Sequence, residues 1–227
     1  MAQKINPNTY RLGITLPWAS RWFFTRKSRY FLEEDHAIRT FIREKIKDAG
    51  IAGLSIERTS DVVRVNVQAA RPGLIIGRGG KGIEELREKL LKIVKKLRVE
   101  NKVPLIFSFN LNVEELKRTD VSSGVLAQQI ATDLEKRQPY RKLMKRAIES
   151  TMQNRDVKGI KIKLSGRLNG AEISRVDWLA KGRMPLQTLR AIIDYAEATS
   201  FNSYGTIGVK VWIYKGEVFD EKRAARK

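Results

Sequence analysis

Between Val62 and Ala69 the chain alternates: Val63, Val65, Val67 and Ala69 are apolar, while Arg64, Asn66 and Gln68 are polar. A period of two predicts a half-buried strand. The same period recurs at Leu105–Val113 and at Lys158–Ser165, where Ile160, Ile162 and Leu164 oppose Lys161, Lys163 and Ser165. A shorter run, Leu54–Arg58, precedes the first strand, with Thr59-Ser60-Asp61 as the turn between them. Elsewhere the period is helical. Phe31, Ile38, Phe41, Ile42 and Ile46 share a face over residues 29–49, and Gly50 stops the helix. Ile83, Leu86, Leu90, Ile93 and Leu97 line another. Two helices, 121–137 and 140–154, part near Gln138-Pro139. Further strands fit Ala171–Trp178, Leu186–Ala196 and Thr206–Tyr214, and Leu168-Asn169-Gly170 reads as a tight hairpin turn because Asn-Gly supplies positive φ.

Up to residue 113 the order is helix, strand, strand, short helix, glycine loop, helix, strand. Two helices and four strands follow. This predicts an α+β protein of two domains: an arm (1–28), a first domain (29–113), a linker (114–120), a second domain with a mainly antiparallel four-stranded sheet (121–217) and a charged tail (218–227).

Charge changes the picture from fold to partner. The 227 residues carry a net charge of +20, and a surface this positive attracts polyanions. The charge comes in blocks. Residues 1–32 hold six Lys/Arg and no acid, 71–100 hold nine against four, and 136–165 hold ten against two, whereas 113–135 is net acidic. With no cysteine there is no disulfide, thiolate metal site or cysteine nucleophile, and the single histidine, His36, reads as a surface residue. No metal, cofactor or catalytic residue is expected. No apolar run approaches the roughly 18–20 residues of a membrane span, and the N-terminus lacks a secretory apolar core, so the expected compartment is the cytoplasm.

The sharpest motif is PGLIIGRGGKGIEEL, residues 72–86. A nucleotide P-loop needs Gly at position 75 and Ser or Thr after Lys81, where Ile75 and Gly82 stand. The dinucleotide pattern Gly77-x-Gly79-x-x-Gly82 matches, but only three apolar residues precede it where a buried strand is required. A KH module fits better. There a G-x-x-G loop joins two helices and clamps the backbone of about four single-stranded nucleotides. Gly77 and Gly80 are the loop glycines, Gly79 lies between them, and Arg78 and Lys81 bring charge to the phosphates. The order αββααβ is that of the type II KH fold.

The chain also resembles, almost end to end, the bacterial form of a ribosomal family, small-subunit ribosomal protein number three. The resemblance rests on Gln3–Pro7, Tyr10–Ile14 and Pro17-Trp18, on Ala70–Gly77, and on Ile160–Ile162, Ser165–Ile173 and Gly208–Glu217. Asn6 and Asn169 depart from the commoner His and Gly. The resemblance implies a structural component of the small subunit rather than an enzyme. It implies binding to small-subunit rRNA, contact with head proteins numbers ten and fourteen, a place where mRNA enters, and no homo-oligomer or membrane. An organellar ribosome is left open. Within the arm and the second sheet, Lys4, Arg11, Arg21, Lys161, Lys163 and Arg167 are the expected rRNA contacts. The arm, with Trp18, Trp22, Phe23 and Phe24 as anchors, is expected to be dispensable for folding.

One helix joins both arguments. At about 100° per residue, Arg141, Lys142, Lys145 and Arg146 fall within an arc of about 140°, opposite Leu143, Met144, Ala147 and Ile148. No acid interleaves until Glu149. The resemblance places this helix at the mRNA entrance and implicates Arg141, Lys142 and Lys145 in unwinding. Lys142 replaces a common Arg, keeping the charge without the bidentate fork. Two rival readings are a free KH regulator, which leaves the second-half motifs unexplained, and a nuclease or lyase, for which no placed carboxylate cluster exists.

Overall fold

A computed structural model describes residues 4–22, 28–46, 49–59, 62–102, 107–116 and 121–218. Ser60-Asp61, Leu105, Phe23, Phe24 and the tail beyond residue 218 lie outside the described residues. The chain forms two compact units. One is Ala19–Lys117; the other combines Met1–Trp18 with Arg118–Lys227.

The first unit holds β1 (Ser20–Trp22), α2 (Ser28–Lys45), β2 (Ile51–Arg58), β3 (Val62–Ala69), α3 (Pro72–Ile76), α4 (Lys81–Glu100) and β4 (Ser108–Glu115). The sheet order is β1-β2-β3-β4, with β2/β3 antiparallel and the outer pairs parallel. The alternation of β3 is realised: Val63, Val65, Val67 and Ala69 are buried against Ile38 and Ile42 of α2 and Leu90 and Val94 of α4. Strand β4 runs on to Glu115, into the expected linker. Strand β1 has no counterpart among the elements expected from the sequence; three residues are too few to show a period.

Helix α4 differs from expectation in its buried stripe. Leu90, Val94 and Arg98 are buried, while Ile83, Leu86, Ile93 and Leu97 are half-buried. Arg98 goes inside because Glu34 waits there. Its Nε donates to Glu34 Oε1 at 3.0 Å, Arg58 donates to Glu34 Oε2 at 2.6 Å and to Asp35 Oδ1 at 2.7 Å, and Trp22 Nε1 donates to Asp35 Oδ2 at 2.9 Å. All four charged residues are at most 6% exposed. Such a cluster tolerates burial only because each charge meets opposite charge with hydrogen-bond geometry. It ties α2 to the ends of β2 and α4.

The second unit begins with α1 (Pro7–Arg11) and continues with α5 (Ser123–Glu135), α6 (Tyr140–Met152), β5 (Gly159–Gly166), β6 (Arg175–Gly182), β7 (Ala191–Asn202) and β8 (Gly205–Glu217). Its sheet, β6-β5-β8-β7, is antiparallel throughout. Ile160, Ile162, Leu164, Val209, Val211 and Ile213 face α5 and α6. The alternate residues Trp212 and Tyr214 pack with Ile193 and Tyr195 on the opposite face. Asp194 of β7 caps α5, accepting from the Ser123 amide at 2.8 Å and hydroxyl at 2.7 Å. Asn169 and Gly170 do adopt positive φ, 55° and 76°. The β5–β6 connection is nonetheless longer than a tight hairpin, spanning 167–174, and β6 and β7 start later than expected.

Candidate nucleic-acid interface

The KH loop is built from two helix ends. Pro72 starts α3, where its missing N–H is harmless. Gly77, at φ 70°, ends it and donates to the Gly73 carbonyl at 3.0 Å. A single turn, Arg78–Gly80, then leads into α4 with Gly79 at φ 64° and Gly80 at φ 80°. This is backbone that L side chains rarely adopt. A Cβ on Gly79 or Gly80 would meet nothing within 4 Å, so the loop leaves open space where another backbone can approach. Gly82 serves a different purpose: a Cβ there would lie 2.7 Å from the Ile75 carbonyl oxygen, so glycine lets α3 pack against α4. Arg78 and Lys81 are exposed, and Leu74 (62%) and Ile76 (39%) offer apolar surface beside them. A helix N-terminus, open glycine backbone and two cations together suit a phosphodiester backbone.

Helix α6 sorts its side chains as its periodicity predicts. Leu143, Met144 and Ile148 are buried, and Arg141, Lys142, Lys145 and Arg146 are exposed, lining one shallow depression with Glu149. Sequence periodicity misses one acid. Asp177 of β6 comes within 3.8 Å of Arg141 Nε, and Arg141 Nε also donates to the Tyr140 hydroxyl at 3.1 Å. Lys142, Lys145 and Arg146 carry the rest of the arc.

The arm and sheet residues divide. Lys4 and Arg21 are exposed. Arg11, also expected on rRNA, is fully buried in the second unit. Its Nε donates to Ala191 O at 2.7 Å, and its Nη groups donate to Pro7 O, Leu186 O and Thr188 O at 3.1, 2.9 and 2.8 Å. Four carbonyl dipoles thus replace water around a buried cation. Asn6 caps α1 by accepting from the Asn8 amide at 2.9 Å, and the Asn8 side chain donates to Tyr195 O at 2.9 Å. The sequence sets residues 1–28 apart as an arm; in the structure α1 instead packs as part of the second unit. Nothing local in the sequence signals this, since three of the four partners of Arg11 are main-chain atoms 175–180 positions away.

Arg167, also expected on rRNA, donates through Nε to Ala171 O at 2.9 Å and through Nη1 to Tyr204 O at 3.1 Å. It holds the 167–174 connection against the β7–β8 turn. Lys161 lies between two indoles, its Nζ 4.7 Å from the Trp178 ring centroid and 5.8 Å from that of Trp212. Burial lowers its pKa, and the positive charges of Lys4 and Lys163 lower it further. Among the described residues no group of three or more His, Cys, Asp or Glu is placed to hold a metal ion, and no helix is long and apolar enough to cross a membrane.

A type II KH sheet with an open glycine loop, in a chain whose other unit displays a cationic helix, defines an RNA-binding protein. Comparison with known proteins narrows the class. The KH domain family matches residues 37–120, and the C-terminal domain of ribosomal protein S3 matches residues 130–213. The chain is 46% identical over 220 residues to the small ribosomal subunit protein uS3 of Thermosynechococcus vestitus, covering 96% of this chain and 88% of the relative. It is 43% identical over 233 residues to that of Helicobacter pylori, covering 100% and 94%. The chain belongs to the uS3 family. It is a structural, RNA-binding component of the small ribosomal subunit and not an enzyme.

Proposed function

We propose that this chain docks on rRNA in the head of the small subunit of a cytoplasmic ribosome, beside head proteins numbers ten and fourteen, and helps line the channel through which mRNA enters. The observation that carries the mRNA role is the face of α6, where Lys142, Lys145 and Arg146 stand exposed beside Arg141 while Leu143, Met144 and Ile148 fix the helix from behind. Cations held on a rigid helix capture phosphates as paired strands separate. The chain has no nucleotide-triphosphate loop, so unwinding is passive and the advancing ribosome does the work. Gly77, Arg78, Gly79, Gly80 and Lys81 take single-stranded backbone at the KH loop, and Lys4, Arg21, Lys161 and Lys163 contact rRNA.

The test is internal to one mutant ribosome. Arg141, Lys142 and Lys145 are all replaced by Ala, which leaves the buried side of α6 untouched. Two messages differing only in a stable hairpin are then translated. The hairpin message slows and the unstructured one does not. Equal slowing on both messages overturns the unwinding role.

A further inference from the structure

Strand register sorts the outer face of the second sheet into rows. Trp178, Lys163, Lys210 and Glu197 form one row across β6, β5, β8 and β7. Ala180, Lys161, Trp212 and Tyr195 form the next, and Val176, Ser165, Gly208 and Thr199 lie on the other side. All point away from the α5/α6 core. The Tyr195–Trp212 end is closed: both rings are only 8% exposed, and Met184 and Leu186 pack on them. The other end is open, with Trp178 at 55% and Val176 at 60% exposure. Ser165 and Gly208 leave a low floor there.

This opening combines a large exposed indole with ammonium groups. Lys161 sits at 4.7 Å over the Trp178 ring, Lys163 is the cross-strand neighbour of Trp178, and Lys4 lies close enough to press on the Lys161 charge. The acid of the row, Glu197, is already engaged by Lys210 at 3.1 Å and by the Tyr195 hydroxyl. An apolar protein surface laid here would have to desolvate the lysines without neutralising them. A nucleotide supplies both complements, phosphate for the cations and a π face for the indole.

We propose that this open half-face is a binding platform for an unpaired nucleotide of RNA, its base stacked on Trp178 and its phosphates met by Lys161, Lys163 and Lys4. The proposal rests on the reading that the sheet lysines contact RNA, and it adds the residue that senses a base rather than charge alone.

The full chain labelled with 5-fluorotryptophan tests it, with the Trp178 resonance assigned by its loss in Trp178→Phe. The probes are an oligouridylate of about ten nucleotides, within the usual footprint of single-strand sites, and an abasic ribose-phosphate strand of equal charge. The uridine strand shifts the Trp178 signal well beyond the shift given by the abasic strand, whose phosphates reach the ring only through Lys161. With the KH loop disabled by Arg78→Asp and Gly79→Asp, Trp178→Leu weakens oligouridylate binding roughly fivefold or more, the loss of one base–aromatic stack, and Trp178→Phe holds it within about twofold. Binding of oligouridylate that leaves the Trp178 signal unmoved, or undiminished binding by Trp178→Leu, overturns the platform and leaves the RNA reading standing. A chain that binds neither strand overturns both.

Discussion

Arg11 and Ala191 stand 180 positions apart, and the guanidinium Nε of one donates a 2.7 Å hydrogen bond to the carbonyl of the other. Three further carbonyls, those of Pro7, Leu186 and Thr188, complete the cage. Arg11→Ala leaves buried carbonyls without donors and destabilises the chain by about 3 kcal/mol, the upper end for unsatisfied buried polar groups. Arg11→Lys does not restore it, because an ammonium lacks the planar fork that reaches several carbonyls at once. Thermal denaturation of the two variants against the parent chain is the measurement. A Lys variant as stable as the parent shows that charge alone suffices.

At the KH loop, Arg78→Asp with Gly79→Asp places two anions where phosphates run. Single-stranded RNA binds more weakly, and the slope of log affinity against log salt flattens by roughly 0.7 for each phosphate that is no longer neutralised. Titration at several salt concentrations reads both. An unchanged affinity and slope means the loop only joins α3 to α4.

Asp177 restrains Arg141 across 3.8 Å, on a surface where the Arg141 side chain is 76% exposed. An exposed pair of this kind is worth about 0–1 kcal/mol. Asp177→Asn therefore leaves stability nearly unchanged and raises RNA affinity by up to about fivefold at low salt, converging with the parent at high salt. Tighter binding that persists at high salt points to an interaction other than charge.

The Tyr195 hydroxyl donates to Glu197, and burial, then that bond, hold its pKa well above the usual phenol range. The sign follows from linkage. A pKa raised on folding contributes stability that is complete below the unfolded value, about 10, and is lost as pH climbs toward the folded value. Stability thus falls with pH above about 10, and Tyr195→Phe makes that fall shallower. Urea unfolding at pH 8, 10 and 11 compares the slopes; identical slopes would remove Tyr195 as the source.

Where burial follows a repeating pattern, the sequence is readable. The period of two in Val63, Val65 and Val67 and the apolar arc of Leu143, Met144 and Ile148 each name the buried side without help from elsewhere. The KH loop is readable because positive φ demands glycine at Gly77, Gly79 and Gly80. What stays hidden is polar and long-range. Glu34, Asp35, Arg58 and Arg98 look like surface charge until folding brings them together, and Arg98 takes a place on the α4 stripe that an apolar pattern never assigns to arginine. Asp177 is invisible beside Arg141 for the same reason: the pair meets across the fold.

The split of the second unit into Met1–Trp18 and Arg118–Lys227 sets an order of events during synthesis. Ala19–Lys117 is continuous and can fold as soon as it emerges. Residues 7–11 cannot, because three of the four carbonyls that receive Arg11 are added 175–180 residues later. At a translation rate of about 5–20 residues per second, that is a wait of roughly 9–35 s. Through this interval α1 is an unplaced peptide, and its docking becomes possible only after Ala191 has been added.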